Sequence, residues 1–272
     1  MSGLSFVFAT LIGVCITPDG IVVGADTSVS NRSGQESTRQ KYCVIGPRAV
    51  ATLQGVYELT GTETKATAAL YDGFRDLCAQ TNRSPLLPTL RAQARHMAER
   101  LRESLVTFLQ GVPANDVVRK YASNSVVARV AVSGYDNDGP GSVVVGLGVA
   151  VDTKTGRWEA QVQGLARYTF DACGARFHGQ DVVLTALSNE KDVRIPRGER
   201  RTADATRLAS VMRGNCADVS VRSVPDLFKA AARLTMTLGT GFGIPKGSVN
   251  VPLDVIVIPT AGDIVITRID SW

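Results

Sequence analysis

The stretch FATLIGVCITPDGIVVGADTSV, residues 8–29, decides how the rest of the chain is read. Two apolar, β-branched runs flank Pro18-Asp19-Gly20. Proline fixes φ, aspartate bonds its own backbone and glycine accepts a positive φ, so this tripeptide is a turn. The segment predicts a hairpin with strands over 5–16 and 21–25. Such a pair needs neither a threonine inside its first strand, Thr10, nor an acid at the end of its second, Asp26.

Bulk composition narrows the field. A chain of 272 residues, 44% of them hydrophobic, suits one large domain. The net charge of +5 is mild and its Lys and Arg residues are scattered along the chain, which argues against nucleic-acid binding. Five cysteines (Cys15, Cys43, Cys78, Cys173, Cys216) are odd in number, widely spaced and free of any CxxC pair. That pattern predicts neither a metal site nor a disulfide framework, and points to a reducing cytoplasm. The apolar start over 4–16 has no basic leading region, since the first basic residue is Arg32, and it is too short to span a bilayer. No membrane association and no cofactor are expected.

Beyond the first hairpin, 42–45 and 49–54 predict a second one around Gly46-Pro47. Apolar residues three and four apart predict helices over 60–80 and 90–109. Strands return over 126–135, 142–151 and 157–163. A helix is expected over 174–188 and another over 224–238, and strands over 253–259 and 263–269 close the chain. The polar, basic stretch at about 191–222 reads as an insertion with a short helix over 203–212. Like elements come in blocks without strict alternation of strand and helix, which predicts helices outside antiparallel sheets. No linker divides the chain.

Two candidate chemistries fail on their own terms. GTGFGIPKGS, 239–248, lacks the Lys-Ser/Thr pair and the following helix of a phosphate loop. His96 and His178 are the only histidines, and no GxSxG elbow accompanies them. A Cys173–His178 pair on one helix would be five residues apart, a spacing that does not stack. A threonine, however, becomes a nucleophile when it heads a chain, because its freed α-amine can accept the hydroxyl proton. That amine titrates near pH 8. Such a site calls for a lysine to tune the amine, an acid to hold the lysine and a backbone N–H for the oxyanion.

At these residues the sequence resembles the proteasome β-subunit family and its bacterial relatives, the N-terminal-nucleophile hydrolases. Asp26 lies sixteen residues after Thr10, at the end of the hairpin DGIVVGADTS. RQKYCVI offers Lys41, and Gly55 follows it by fourteen residues in AVATLQG. FDACGA puts Cys173 where the family has the serine of a GSG helix start. The late strand PLDVIVI and the closing AGDIVITR continue the resemblance.

The resemblance implies an α+β fold, a four-layer αββα sandwich. Residues 1–9 would be a short propeptide, and 10–272 one domain containing the 191–222 insertion. Thr10 would be the nucleophile, Lys41 held by Asp26 its electrostatic support, Gly55 the oxyanion donor, and Cys173 a neighbour of the nucleophile. Substrate would add as an extra strand near Ser30 and Gly55. By the same resemblance the chain is a threonine-type peptidase that assembles with itself into stacked rings and takes unfolded polypeptide, served by an ATP-dependent unfoldase. Departures leave alternatives open. Ala9, not Gly, precedes Thr10, and aligning Gly13 with the family's glycine puts Ala9 at the nucleophile position. The supporting late Asp-x-x-Ser pair has only Ser248 and Asn250 as candidates. A non-catalytic, unprocessed ring subunit and an amidase or ligase of narrow substrate are the other readings. Singly, Thr10 is a β-former, Asp26 a cap, Lys41 an edge charge, Gly55 a turn residue and Cys173 a small core residue. Their order and spacing favour the catalytic reading.

Overall fold

A computed structural model describes residues 4–9, 11–31, 36–61, 67–81, 87–110, 126–151, 154–155, 158–169, 173–179, 184–186, 199–216, 219–238 and 252–271. The strands are β1 (Leu4–Ala9), β2 (Leu11–Thr17), β3 (Gly20–Asp26), β4 (Ser28–Asn31), β5 (Glu36–Thr38), β6 (Tyr42–Val44), β7 (Ala49–Gly61), β8 (Thr67–Ala69), β9 (Val126–Asp136), β10 (Gly139–Val151), β11 (Trp158–Tyr168), β12 (Gly174–Gly179), β13 (Leu253–Pro259) and β14 (Val265–Ile269). The helices are α1 (Leu70–Thr81), α2 (Leu90–Gln110), α3 (Glu199–Met212) and α4 (Val224–Leu238).

One sheet of nine strands runs β11-β10-β9-β7-β1-β4-β5, with β6 and β8 also paired to β7. The other runs β12-β2-β3-β13-β14. Among the described residues, the strand pairings in both are antiparallel. Period-two alternation sorts the side chains. On β2, Ile12, Val14 and Ile16 join Ile21, Val23, Ile256 and Val50 in a core shared by the two sheets. Leu11 and Cys15 face the opposite way, into a core with α3 and α4. The nine-stranded sheet turns Ala51, Leu53, Val130 and Val145 towards α1 and α2. All seven residues of β2 are buried, which is why it reads as an unbroken apolar run. A fully buried Ile or Leu contributes about 1.5–3 kcal/mol.

Two glycines seat α4 on this hairpin. Gly13 and Gly24 are cross-strand partners, and a Cβ on Gly24 would lie 2.5 Å from the Phe228 ring. The α2 N-terminus is fixed twice: Thr89 Oγ1 accepts from the Ala92 N–H at 3.1 Å, and Asp136 Oδ2 accepts from the Leu90 N–H at 2.9 Å.

The proteasome-type four-layer αββα sandwich expected from the sequence is corrected here. The described residues form two antiparallel sheets of unequal size, and three segments depart from the expected order. The single strand expected over 5–16 is two strands in different sheets, β1 and β2. Within the helix expected over 60–80, the described residues before α1 are strand: β7 reaches Gly61 and β8 covers Thr67–Ala69. Alanines at helical spacing are weak markers of a helical face, and β pairing overrode them. The helix expected from residue 174 begins as strand β12, where Ala175 and Phe177 alternate with Arg176 and His178 in period two.

The cysteine expectation is also overturned. Cys43 is bonded to Cys78 and Cys173 to Cys216, with Cα separations of 6.1 and 6.0 Å. Their sequence separations, 35 and 43 residues, form no motif, and only the folded Cα distances reveal the pairs. The inference of a reducing cytoplasm loses this support. Within the basic 191–222 stretch, α3 buries Ala205, Leu208, Val211 and Met212. Among the described residues no helix is long and apolar enough to cross a membrane.

Candidate active site

The chain leaves one sheet after Ala9 and enters the other at Leu11. Thr10 lies outside the described residues, but both its neighbours are described. Ala9, the last residue of β1, is in register with Gly55 on one side and Val29 on the other. Leu11, the first residue of β2, donates its N–H to Asp26 Oδ1 at 2.9 Å. The hairpin explains this contact: β2 and β3 pair Ile12 with Ala25, so their ends meet one residue later.

Asp26 Oδ1 also accepts from Lys41 Nζ at 2.7 Å, and both side chains are fully buried. Lys41 is held by its backbone as well, since the Leu53 N–H donates to the Lys41 carbonyl at 3.0 Å. Beyond Asp26, Thr27 donates both its N–H and its Oγ1 hydroxyl to the Pro252 carbonyl at 3.0 Å. Burial pushes the Lys41 ammonium below its ordinary range, and the charge and hydrogen bond of Asp26 pull against that shift. A cation with a weakened hold on its proton thus lies one hydrogen-bonded carboxylate away from the Leu11 backbone.

Gly55 has φ of +90°. A Cβ there would lie 2.5 Å from the Val127 carbonyl oxygen. Glycine is therefore required by both conformation and space. Directly beyond it, the β1–β7 register shifts between Val7 and Phe8. Tyr57 is buried there with its hydroxyl donating to the Leu53 carbonyl at 2.9 Å.

Of the residues expected at a site, Asp26 and Lys41 are in contact, and Gly55 is in register with the residue before Thr10. Ser30 lies in β4, in register with Phe8 of β1. The strand position expected for substrate is thus filled by the chain's own residues 4–9. Cys173 is not brought to this region. It precedes the end of β12 that pairs with Ile16, whereas Gly179 at the other end pairs with Leu11. Five strand residues separate the two ends, about 16 Å. Cys173 is moreover tied up in its disulfide. Ser248 and Asn250 lie outside the described residues, as does GTGFGIPKGS.

Sequence reasoning missed two nearby residues. His178, opposite Ile12, and Gln54, beside Gly55, both come close to the crossover. The period-two pattern of 174–179 was the signal for His178. Nothing in the sequence marks Gln54. Among the described residues no group of three or more His, Cys, Asp or Glu is arranged to hold a metal.

Three solved structures match this fold over nearly all of the chain. The Anbu complex from Pseudomonas aeruginosa, described as a helical assembly, covers 96% of this chain and 87% of its own, at 14% identity and a TM-score of 0.58. The Gly-1 mutant of Anbu from Hyphomicrobium sp. strain MC1 covers 97% and 88%, at 13% identity and 0.55. Anbu from Yersinia bercovieri, described as an ancestral beta-subunit, covers 96% and 87%, at 13% identity and 0.53. The fold is Anbu-like. No protein-family model matches the sequence, and no curated protein does. The expected membership of the proteasome β-subunit family is therefore corrected: these three structures are Anbu proteins, proteasome-like but a distinct family. At these identities the likeness to Anbu concerns the fold alone.

Proposed function

We propose that the chain is a self-processing threonine peptidase whose nucleophile is Thr10. The observation that carries this reading is the double use of Asp26 Oδ1, which binds Lys41 Nζ and the backbone N–H that immediately follows Thr10. In maturation the Thr10 hydroxyl adds to the Ala9 carbonyl, the Ala9–Thr10 C–N bond breaks and an ester forms. Water then hydrolyses the ester, releasing residues 1–9 with a C-terminal carboxylate and leaving Thr10 with a free α-amine. That amine serves as general base for later substrates, and the Lys41–Asp26 pair lowers the cost of the charge that develops beside it. The Gly55 N–H is the candidate oxyanion donor. The position of β1 between β7 and β4 supports a substrate bound as an extended strand.

One of the similar structures is described as a helical assembly. By that likeness we take this chain to assemble with itself; the extended-strand position of β1 is what suits an unfolded polypeptide substrate. A stacked-ring form and an ATP-dependent unfoldase are the finer versions of the same proposal. Size-exclusion chromatography with light scattering, followed by electron microscopy, tests assembly: a monomer at micromolar concentration would rule it out.

The deciding experiment is the intact mass of the purified chain beside that of Thr10→Ala. The reading expects a start at Thr10 in the first and the full-length start in the second, with peptide turnover in the first alone. A second reading, an unprocessed subunit without activity, is favoured by one observation. β1 is paired along its length on the β7 side and again on the β4 side, as an interior strand of a permanent sheet would be. An unprocessed wild-type mass establishes that reading instead.

A further inference from the structure

Four buried polar atoms lie unpartnered on the facing sides of the two sheets. β11 and β12 are the edge strands of their sheets, and the Tyr168 and His178 rings bridge them with centroids 5.4 Å apart. On β12, Ala175 and Phe177 face the helices, so Arg176 and His178 face the other sheet. On β7, Ala51 and Leu53 face α1 and α2, so Thr52 and Gln54 face β12. Arg129 of β9 is the register partner of Gln54 and shares its face. Thr52, Gln54 and His178 are 0%, 2% and 8% exposed. Among the described residues, Thr52 Oγ1, both amide atoms of Gln54 and His178 Nε2 have no hydrogen-bond partner. Orphans of this kind are rare in folded chains, and a cluster of them calls for an occupant.

The charge around the cluster says what the occupant is. Among the described residues, Arg129 and Arg176 are the charged groups that act on His178. Arg176 also lies over the Tyr168 ring, 5.8 Å from its centroid. Arg129 and Tyr168 are half-buried and Arg176 is exposed, so the cluster opens at the sheet edge. We propose that Thr52, Gln54, Arg129 and His178 form a binding site for a carboxylate group carried by a peptide or by a small free acid. Its oxygens would accept from Gln54 Nε2, His178 Nε2–H, the Thr52 hydroxyl and the Arg129 guanidinium. Gln54 Oε1 would accept from an adjoining amide N–H or water. The site stands whether or not Thr10 is ever unmasked, because binding needs no turnover.

The test is a histidine NMR titration of the full chain. His96→Gln removes the only other histidine signal, leaving the His178 ring proton as reporter. Probes are sodium acetate, succinate, an N-acetylated peptide ending in a Glu carboxamide, and the same peptide with Gln in place of Glu. Carboxylate probes are expected to move the His178 resonance saturably and to raise its titration midpoint, since an opposite charge favours the imidazolium. The Gln peptide is expected to do neither. Arg129→Gln is expected to weaken binding at least tenfold, with Arg129→Lys intermediate. Tighter binding of the Glu peptide than of acetate assigns the site to polypeptide, and the reverse assigns it to free acids. A His178 signal indifferent to every carboxylate, or one moved equally by the Gln peptide, overturns the proposal and leaves water as the occupant. Because the wild-type titration alone decides, a variant that fails to fold does not blunt the test.

Discussion

Lys41 Nζ lies 2.7 Å from Asp26 Oδ1 with neither side chain exposed. A buried ion pair repays its desolvation only while both partners are present. Lys41→Met would leave a carboxylate stranded in the core, and is expected to cost about 3–5 kcal/mol in urea unfolding. Adding Asp26→Asn should recover part of that loss. If the single and double variants melt alike, the pair is not the coupled unit described. Activity and maturation are expected to be absent in both.

Gly55→Ala meets two obstacles at once, a φ of +90° and the Val127 carbonyl 2.5 Å from the new Cβ. A non-glycine residue in such a conformation costs about 1–3 kcal/mol, before the clash is counted. The expected loss is at least about 2 kcal/mol. A variant as stable as wild type would mean that β7 relaxes freely there.

Acid is expected to act on the fold through Asp136. Two hydrogen bonds from Arg167, both 2.8 Å, and one from the Leu90 N–H hold its carboxyl down, to about 2. A depressed carboxyl contributes stability that is complete above its unfolded value of about 3.8 and fades as pH falls towards 2. Asp136→Asn should lose roughly 2–3 kcal/mol at neutral pH and flatten the stability curve in that window.

His178 predicts a separate slope at higher pH. Burial, helped by Arg129 and Arg176, pushes its imidazole down to about 4. The unfolded ring, with its ordinary value of 6.5, binds a proton first as pH falls. Stability is therefore expected to be full above 6.5 and to drop between 6.5 and about 4, by roughly 3 kcal/mol in all. Denaturant titrations of His178→Gln should lack that slope. A saturating carboxylate ligand should shallow it.

The cysteines give a covalent check. Burial, aided by the Asp19 charge, pushes the Cys15 thiol up to about 12, and it is 1% exposed. Alkylation of the unreduced protein should therefore find no thiol before denaturation and one after it. Five would exclude both disulfides. In the loop-entropy view, opening the 35-residue Cys43–Cys78 loop costs about 4 kcal/mol.

The legible part of this molecule was local. Asp26, Lys41 and Gly55 could be read only through the resemblance that their order and spacing carry, Asp26 at the end of a hairpin and Gly55 fourteen residues after Lys41. What could not be read depended on contacts between distant segments. Cys173 was misplaced because 174–179 is too short for period two to stand out against a helical continuation. Cys43 and Cys78 meet only because α1 lies over β6. Gln54 and His178 belong to different sheets, and only the stacking of the sheets brings their faces together. The break at residue 10 escaped notice because both halves of 5–16 are apolar, and hydropathy does not say to which sheet a strand belongs.

The β4–β5 ribbon is joined to the rest of its sheet through β1 alone. Neighbouring strands lie about 4.8 Å apart, so removing one interior strand leaves a trench about 10 Å across, walled by two rows of unmet peptide groups. Severing the backbone after residue 9 would leave a six-residue strand still paired along its length to β7 and through Val7–Ala9 to β4. Escape of that peptide, not the cut itself, would then set the pace of activation. A newly matured enzyme would emerge after a lag, and the lag would lengthen when the excised peptide is added back.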